Sequence, residues 1–221
     1  MGLRRQHASI GGALAFLLGN PVLNPATLIF MIFVLGWQFA VIRAVAGVAL
    51  IAIAVAVAYR IAPESPTPTS DADFELAPIE RSNRSAATLV VAWFRELLNE
   101  LVAILPGYIL VVLLLGAIRA WLFSPAVVQG THGLGGTALV ALVGTAFVIP
   151  TAAEIPIVQT LLGSGMGIAA AVALMITLPA ISLPTLVIVR KVFPARVLWA
   201  TFGIVVAVGI VAGLIASAIH L

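Results

Sequence analysis

The stretch Gly19-Asn20-Pro21-Val22-Leu23-Asn24-Pro25-Ala26-Thr27 lies inside an apolar run covering about residues 9–37. A proline removes one backbone donor and its ring clashes with the carbonyl four residues back, so a helix through this run has to open here. A second stretch does the same: Leu178-Pro179-Ala180-Ile181-Ser182-Leu183-Pro184-Thr185 interrupts the apolar run at residues 166–189. Shifted by about 158 positions, the two segments align without a gap. Ile10 falls on Ile168, Ala13 on Ala171, Ala15 on Ala173, Pro21 on Pro179, Asn24 on Ser182, Thr27 on Thr185 and Leu28 on Leu186. Such self-similarity predicts an internally duplicated membrane protein whose broken helices meet near the bilayer midplane, where secondary transporters build binding sites.

Composition agrees. With 62% hydrophobic and 9% charged residues and a mean hydropathy of +1.22, the chain lacks the polar shell a soluble protein of this size needs. The net charge of +3 comes from eleven Lys and Arg against eight acids. That pattern fits arginines at membrane edges and gives no nucleic-acid surface. The absence of cysteine excludes a disulfide framework and a thiolate metal site. Residues 1–7 are basic but lead into an apolar run longer than a signal core, so no cleaved leader is expected.

The expected fold is an all-α polytopic membrane protein with about six hydrophobic segments, three of them broken by proline. They cover residues 8–35 (broken at 20–25), 39–59, 101–123, 134–162 (broken at 150–156), 166–189 and 197–219. Alternation of Ala, Val and Ile in the second segment imitates a strand, but a lone strand in lipid leaves its backbone unsatisfied. Residues 1–60 read as the C-terminal part of a first repeat, 61–85 as a polar proline-rich linker, and 86–221 as a complete second repeat. At residues 86–100 the apolar spacing suits a helix lying in the interface plane, or equally an extension of the next span. The expected setting is the bilayer of a prokaryotic cell membrane.

Glu154 is the strongest candidate for chemistry, since it is the one acid well inside an apolar segment and a carboxylate at that depth needs a proton, a partner or water. It stands between Pro150 and Pro156, where freed backbone groups can line a cavity. One reading makes it a proton- or substrate-coupling group. The plainer one is a carboxylate held by backbone amides in a shallow re-entrant turn. Asn20 and Asn24 can cap the half-helices released by Pro21 and Pro25, and helix ends are also ion sites through their dipoles. Thr151 and Ser182 could touch substrate, though small hydroxyls, among them Thr160, Ser164 and Thr177, pack helices as often. Pro21, Pro25, Pro150, Pro156, Pro179 and Pro184 are the expected helix breaks. His7, His132 and His220 have no second ligand near in sequence, so no metal or cofactor is expected. No His-Glu-x-x-His, nucleophile elbow or phosphate loop occurs, which argues against an enzyme.

These residues carry a resemblance. Gly2 to Arg5, residues 13–27, residues 34–37 with Arg43, then Ile155-Pro156, residues 178–184 and residues 189–193 are similar to the predicted permease family that includes bacterial organoarsenical efflux permeases. The resemblance implies roughly eight spans in two similar halves, with a plain and a broken span, and a cysteine motif, ahead of Gly2. It therefore implies that Met1 is an internal start, a truncation or one half of a split system. Some relatives carry an acid at the position of Thr185. Thiol-dependent arsenical handling does not carry over to a chain without cysteine, which leaves a membrane permease or efflux transporter of an open small solute or ion. The alternative is a non-transporting or incomplete membrane subunit that needs a companion subunit or a second copy. A water or solute channel is set behind both, because Asn24-Pro25-Ala26 matches an aquaporin triplet but Leu183-Pro184-Thr185 does not.

If every segment crosses, Arg4, Arg5, Arg60, Arg81, Arg84 and Arg95 lie on one side and Arg43, Arg119, Arg190, Lys191 and Arg196 on the other. The positive-inside rule then barely chooses an orientation.

Overall fold

Ser9 starts the first helix by accepting the Gly12 N–H on its Oγ at 2.9 Å. The helix, α1 (Ile10–Val22), runs through Pro21 and closes with the Leu23 N–H on the Gly19 carbonyl. The next turn fails because Pro25 has no N–H to give. Asn24 turns extended instead, and its Oδ1 accepts from Ala26 N at 2.9 Å and Thr27 N at 3.4 Å. It thereby caps α2 (Pro25–Val34), with proline at the first helical position where a missing donor costs nothing. Gly36, at φ +107°, makes the turn into α3 (Trp37–Ile61).

The structure, a computed structural model, describes residues 9–62, 91, 94, 95, 98, 130–147, 149, 152–190 and 192–219. After α3 come α4 (Leu134–Ala146), α5 (Glu154–Gly163), α6 (Ile168–Ala180), α7 (Leu183–Val189) and α8 (Ala195–Ala218). All regular structure among the described residues is helical. The expected linker beyond residue 62, the segment at 101–123, Pro150, Thr151, His7 and His220 lie outside them. Residues 1–64 with 117–221 form one compact unit and 65–116 another. In the latter Val91, Phe94, Arg95 and Leu98 are helical and exposed, at the spacing of one helix face.

The repeat is visible in helix boundaries. α6 begins and ends 158 residues after α1, and α7 and α8 begin 158 residues after α2 and α3. Ser182 does at α7 what Asn24 does at α2: its Oγ accepts the Thr185 N–H, and it shares a 2.8 Å bond with Thr185 Oγ1. The breaks fall later than the prolines at 21 and 179 suggested. Both sit in the last turn of their helix, Pro21 in α1 and Pro179 in α6, and the opening follows one or two residues on. Pro25 and Pro184 are in the first turn of the next helix, and Pro156 is third in α5. First-turn N–H groups have no intrahelical acceptor, so these prolines start helices and do not interrupt them.

α6 is the central element. It packs against α1, α3, α4, α5 and α8, and the span it forms with α7, residues 168–189, is 61% buried over its most apolar stretch, against 22–33% in the other spans. Small residues bring the backbones together. On α8, a Cβ at Gly213 would overlap the Ala169 carbonyl and one at Gly209 would meet Thr177 Cγ2. This Gly-x-x-x-Gly face seats α8 on α6. Gly47 gives Val22 and Leu23 their space against α3 in the same way.

Residues 10–34, 37–61, 168–189 and 195–218 are each long and apolar enough to span a bilayer. α1 and α2 both pack against α3, and together they are long and apolar enough to cross once. Ile29, Phe30, Phe33, Trp199, Leu214 and Ile215 are exposed large apolar side chains, a surface that fits lipid. The chain is an all-α, polytopic membrane protein.

Candidate functional site

Because Pro25 offers no N–H and Ala26 gives its own to Asn24, the carbonyls of Pro21 and Val22 lose the donors a continuing helix would supply. Arg43, in the second turn of α3, takes both: Nη2 donates to Pro21 O at 2.9 Å and Nε to Val22 O at 3.0 Å. Its remaining nitrogen, Nη1, donates to Glu154 Oε1 at 2.6 Å. The two side chains are 0% and 1% exposed. Arg43 thus places positive charge at the C-terminal end of α1, while Glu154 places negative charge in the first turn of α5. Each charge suits the dipole of the helix end it meets.

The other carboxylate oxygen, Glu154 Oε2, is buried and has no hydrogen-bond partner among the described residues. Glu154 lines a cavity of about 290 Å³ together with Asn20, Pro21, Ala152, Pro179, Ser182 and Thr185, closed by apolar groups such as Leu17, Phe147 and Ile181. This is near the small end of ligand pockets, about 300–1,000 Å³. The backbone beside it is strained: Ala152 has φ +67°, a left-handed conformation uncommon for a residue with a Cβ. Ala152 also accepts the Ile155 N–H, which sets the first turn of α5 and hence the direction of Glu154.

The structure brings Glu154, Asn20 and Ser182 to one cavity, with Pro21 and Pro179 in its wall. Asn24 is not part of the lining; its side chain is spent on capping α2. Asn20, expected to cap as well, does not. It is exposed, sits inside the last turn of α1 and makes no side-chain hydrogen bond among the described residues. Its amide is thereby left without a side-chain partner among the described residues. Thr160, Ser164 and Thr177 bond carbonyls of their own helical segments, and His132 is exposed. Among the described residues no three His, Cys, Asp or Glu side chains converge on a metal position.

Arg43 is the residue that sequence reasoning passed over. Counting it among loop charges treated it as a surface group, whereas it is wholly buried, roughly 9 Å along α3 at 1.5 Å per residue. The signal was present: a cation inside a span needs a partner, and Glu154 was the one acid at comparable depth.

Broken helices around a small cavity with a buried ion pair are the arrangement in which membrane transporters build their binding sites. The comparisons agree. A family model described as "predicted permease", ArsP_1, matches residues 1–218, and the chain belongs to that permease family. The UPF0718 protein YraQ of Escherichia coli K12 is 46% identical over 212 residues, 96% of this chain and 60% of that protein. The UPF0718 protein MJ0584 of Methanocaldococcus jannaschii is 29% identical over 130 residues, 58% of this chain and 35% of that protein. The chain therefore spans about 60% of the length of the first of these and about 35% of the second. No solved structure matches it. Membership makes the chain a multi-pass membrane protein of a predicted permease family.

Proposed function

We propose that the chain moves a small solute through the cavity at the broken helices and couples this movement to protons at Glu154. The observation that carries this reading is the divided state of one carboxylate: Oε1 is held by Arg43 while Oε2 is buried without a partner in a residue that lines the cavity. A proton arriving at Glu154 weakens its hold on Arg43, which keeps the Pro21 and Val22 carbonyls as partners. The ion pair is then a two-state element that solute and proton can both bias. Asn20, Ser182 and Thr185 offer amide and hydroxyl groups to the solute in the same space.

The test is flux in liposomes containing the purified chain, with and without an imposed pH gradient. Wild-type flux should follow the gradient, and Glu154→Gln should remove that dependence. Flux indifferent to pH in both would remove the coupling. The partial coverage of the longer relative favours a second reading, an incomplete unit that needs further spans. In that case the chain alone carries no flux, and co-reconstitution with the remaining part of YraQ restores it.

A further inference from the structure

The two repeats treat their half-helix ends differently. At the end of α1 the free carbonyls of Pro21 and Val22 are taken by the Arg43 guanidinium. The position 158 residues after Arg43 is Thr201, a buried side chain that bonds the Val197 carbonyl one turn back on α8. Among the described residues no cationic side chain bonds the end of α6. Ala180 O would need an N–H from Pro184, which has none, and among the described residues no donor reaches the carbonyls of Leu178, Pro179 or Ala180. All three residues line the cavity, as does Glu154, a 1% exposed side chain whose Oε2 has no partner among the described residues.

The residues around this space bring both kinds of group: the first turns of α5 and α7 present backbone N–H groups, and the rest of the wall is rich in acceptors. The wall holds a carboxylate oxygen, the negative end of the α6 dipole, two hydroxyls and an amide. Arg43 is the titratable group that meets Glu154, and it is not part of the lining; each of its three nitrogens already has an acceptor. Resting on the permease reading above, we propose that the cavity binds a monovalent cationic group, an alkali-metal ion or the ammonium of a solute. The group sits between Glu154 Oε2 and the carbonyl end of α6, where it does for the second repeat what Arg43 does for the first. Protons and this cation compete for one oxygen, so the two exchange at Glu154.

The test is thermal unfolding of the purified chain in detergent at constant ionic strength, with sodium chloride or methylammonium chloride replacing N-methylglucamine chloride, a cation too bulky for the cavity. At least one should raise the unfolding temperature saturably, with a half-effect concentration that climbs by up to roughly tenfold per unit fall in pH. Stabilisation by sodium alone assigns the site to an ion, and stabilisation by methylammonium to a solute ammonium. Glu154→Gln should abolish the effect. Should that variant not fold, Thr185→Asp tests the same point, since Ser182 and Asp would form a capping box and the added charge should tighten cation binding. No stabilisation by either cation, an undiminished effect in Glu154→Gln, or weaker binding in Thr185→Asp would overturn the proposal. pH-coupled flux without a cation effect would spare the permease reading and remove this one. Cation stabilisation without flux would do the reverse.

Discussion

Replacing Arg43 by methionine leaves Glu154 as a bare buried carboxylate and strips two carbonyls of their donor, whereas replacing Glu154 by glutamine leaves a buried guanidinium with neutral acceptors and no counter-charge. Breaking a buried pair from one side costs about 3–5 kcal/mol. The arginine variant should suffer more, because Arg43 makes three of the bonds and Glu154 one of them. The double variant should cost less than the sum of the singles, since the mutual term is lost once. Denaturation of the four proteins in the same detergent measures this cycle, and additive losses would show that the pair contributes no coupling. Ala152 supports the same pair from the backbone. A β-branched residue at its φ of +67° is less tolerable still, so Ala152→Val should lower stability by about 1–3 kcal/mol in the same assay.

Among the elements, the opening between α1 and α2 depends on Pro25 more than on Pro21. Pro25→Ala restores an N–H that can compete with Arg43 for the Pro21 carbonyl, while Pro21→Ala changes a helix that already runs through that residue. Transport by Pro25→Ala should fall by roughly tenfold or more, about 1.4 kcal/mol in barrier terms, with Pro21→Ala much less affected. Equal rates for the two would refute this order. The seat of α8 on α6 allows a paired test of packing. Gly213→Ala meets the Ala169 backbone and should cost about 1–3 kcal/mol, whereas Gly203→Ala on the same helix meets nothing and should be neutral or better in thermal unfolding. Much of this architecture was legible in the sequence, because proline and asparagine have few roles inside apolar runs and a gapless shift by about 158 residues maps one broken helix onto the other. Which asparagine caps was not decidable, since Asn20 and Asn24 each precede a proline and the rule for the first helical position applies to both. Arg43 escaped because arginines near span ends are ordinary anchors, and the pairing signal from Glu154 at comparable depth was not drawn on. The φ of Ala152 had no sequence signal, alanine having no preference for that conformation.

For the molecule as a whole, withdrawing Arg43 from the loops changes the charge balance that sets orientation. Six arginines remain on the side of Arg60 against four basic residues on that of Arg190, which favours a cytoplasmic residue 61–85 segment. A C-terminal phosphatase fusion, active outside the cytoplasm alone, should be inactive, and a cytoplasmic reporter at the same place active; the opposite pattern would reverse the orientation. The Arg43–Glu154 contact also spans 111 residues of chain, and that separation is a matter of time during synthesis. At about 5–20 residues per second, α3 enters the bilayer roughly 6–20 s before Glu154 has been made. The arginine has to wait there without its counter-charge. Its other two acceptors, only 21 and 22 residues upstream, have already emerged, and α3 is the most apolar of the four spans. The broken helix that opens the cavity in the finished protein is thus also what the nascent chain offers a stranded guanidinium, so Pro25 and Asn24 should matter to the yield of membrane insertion before they matter to transport.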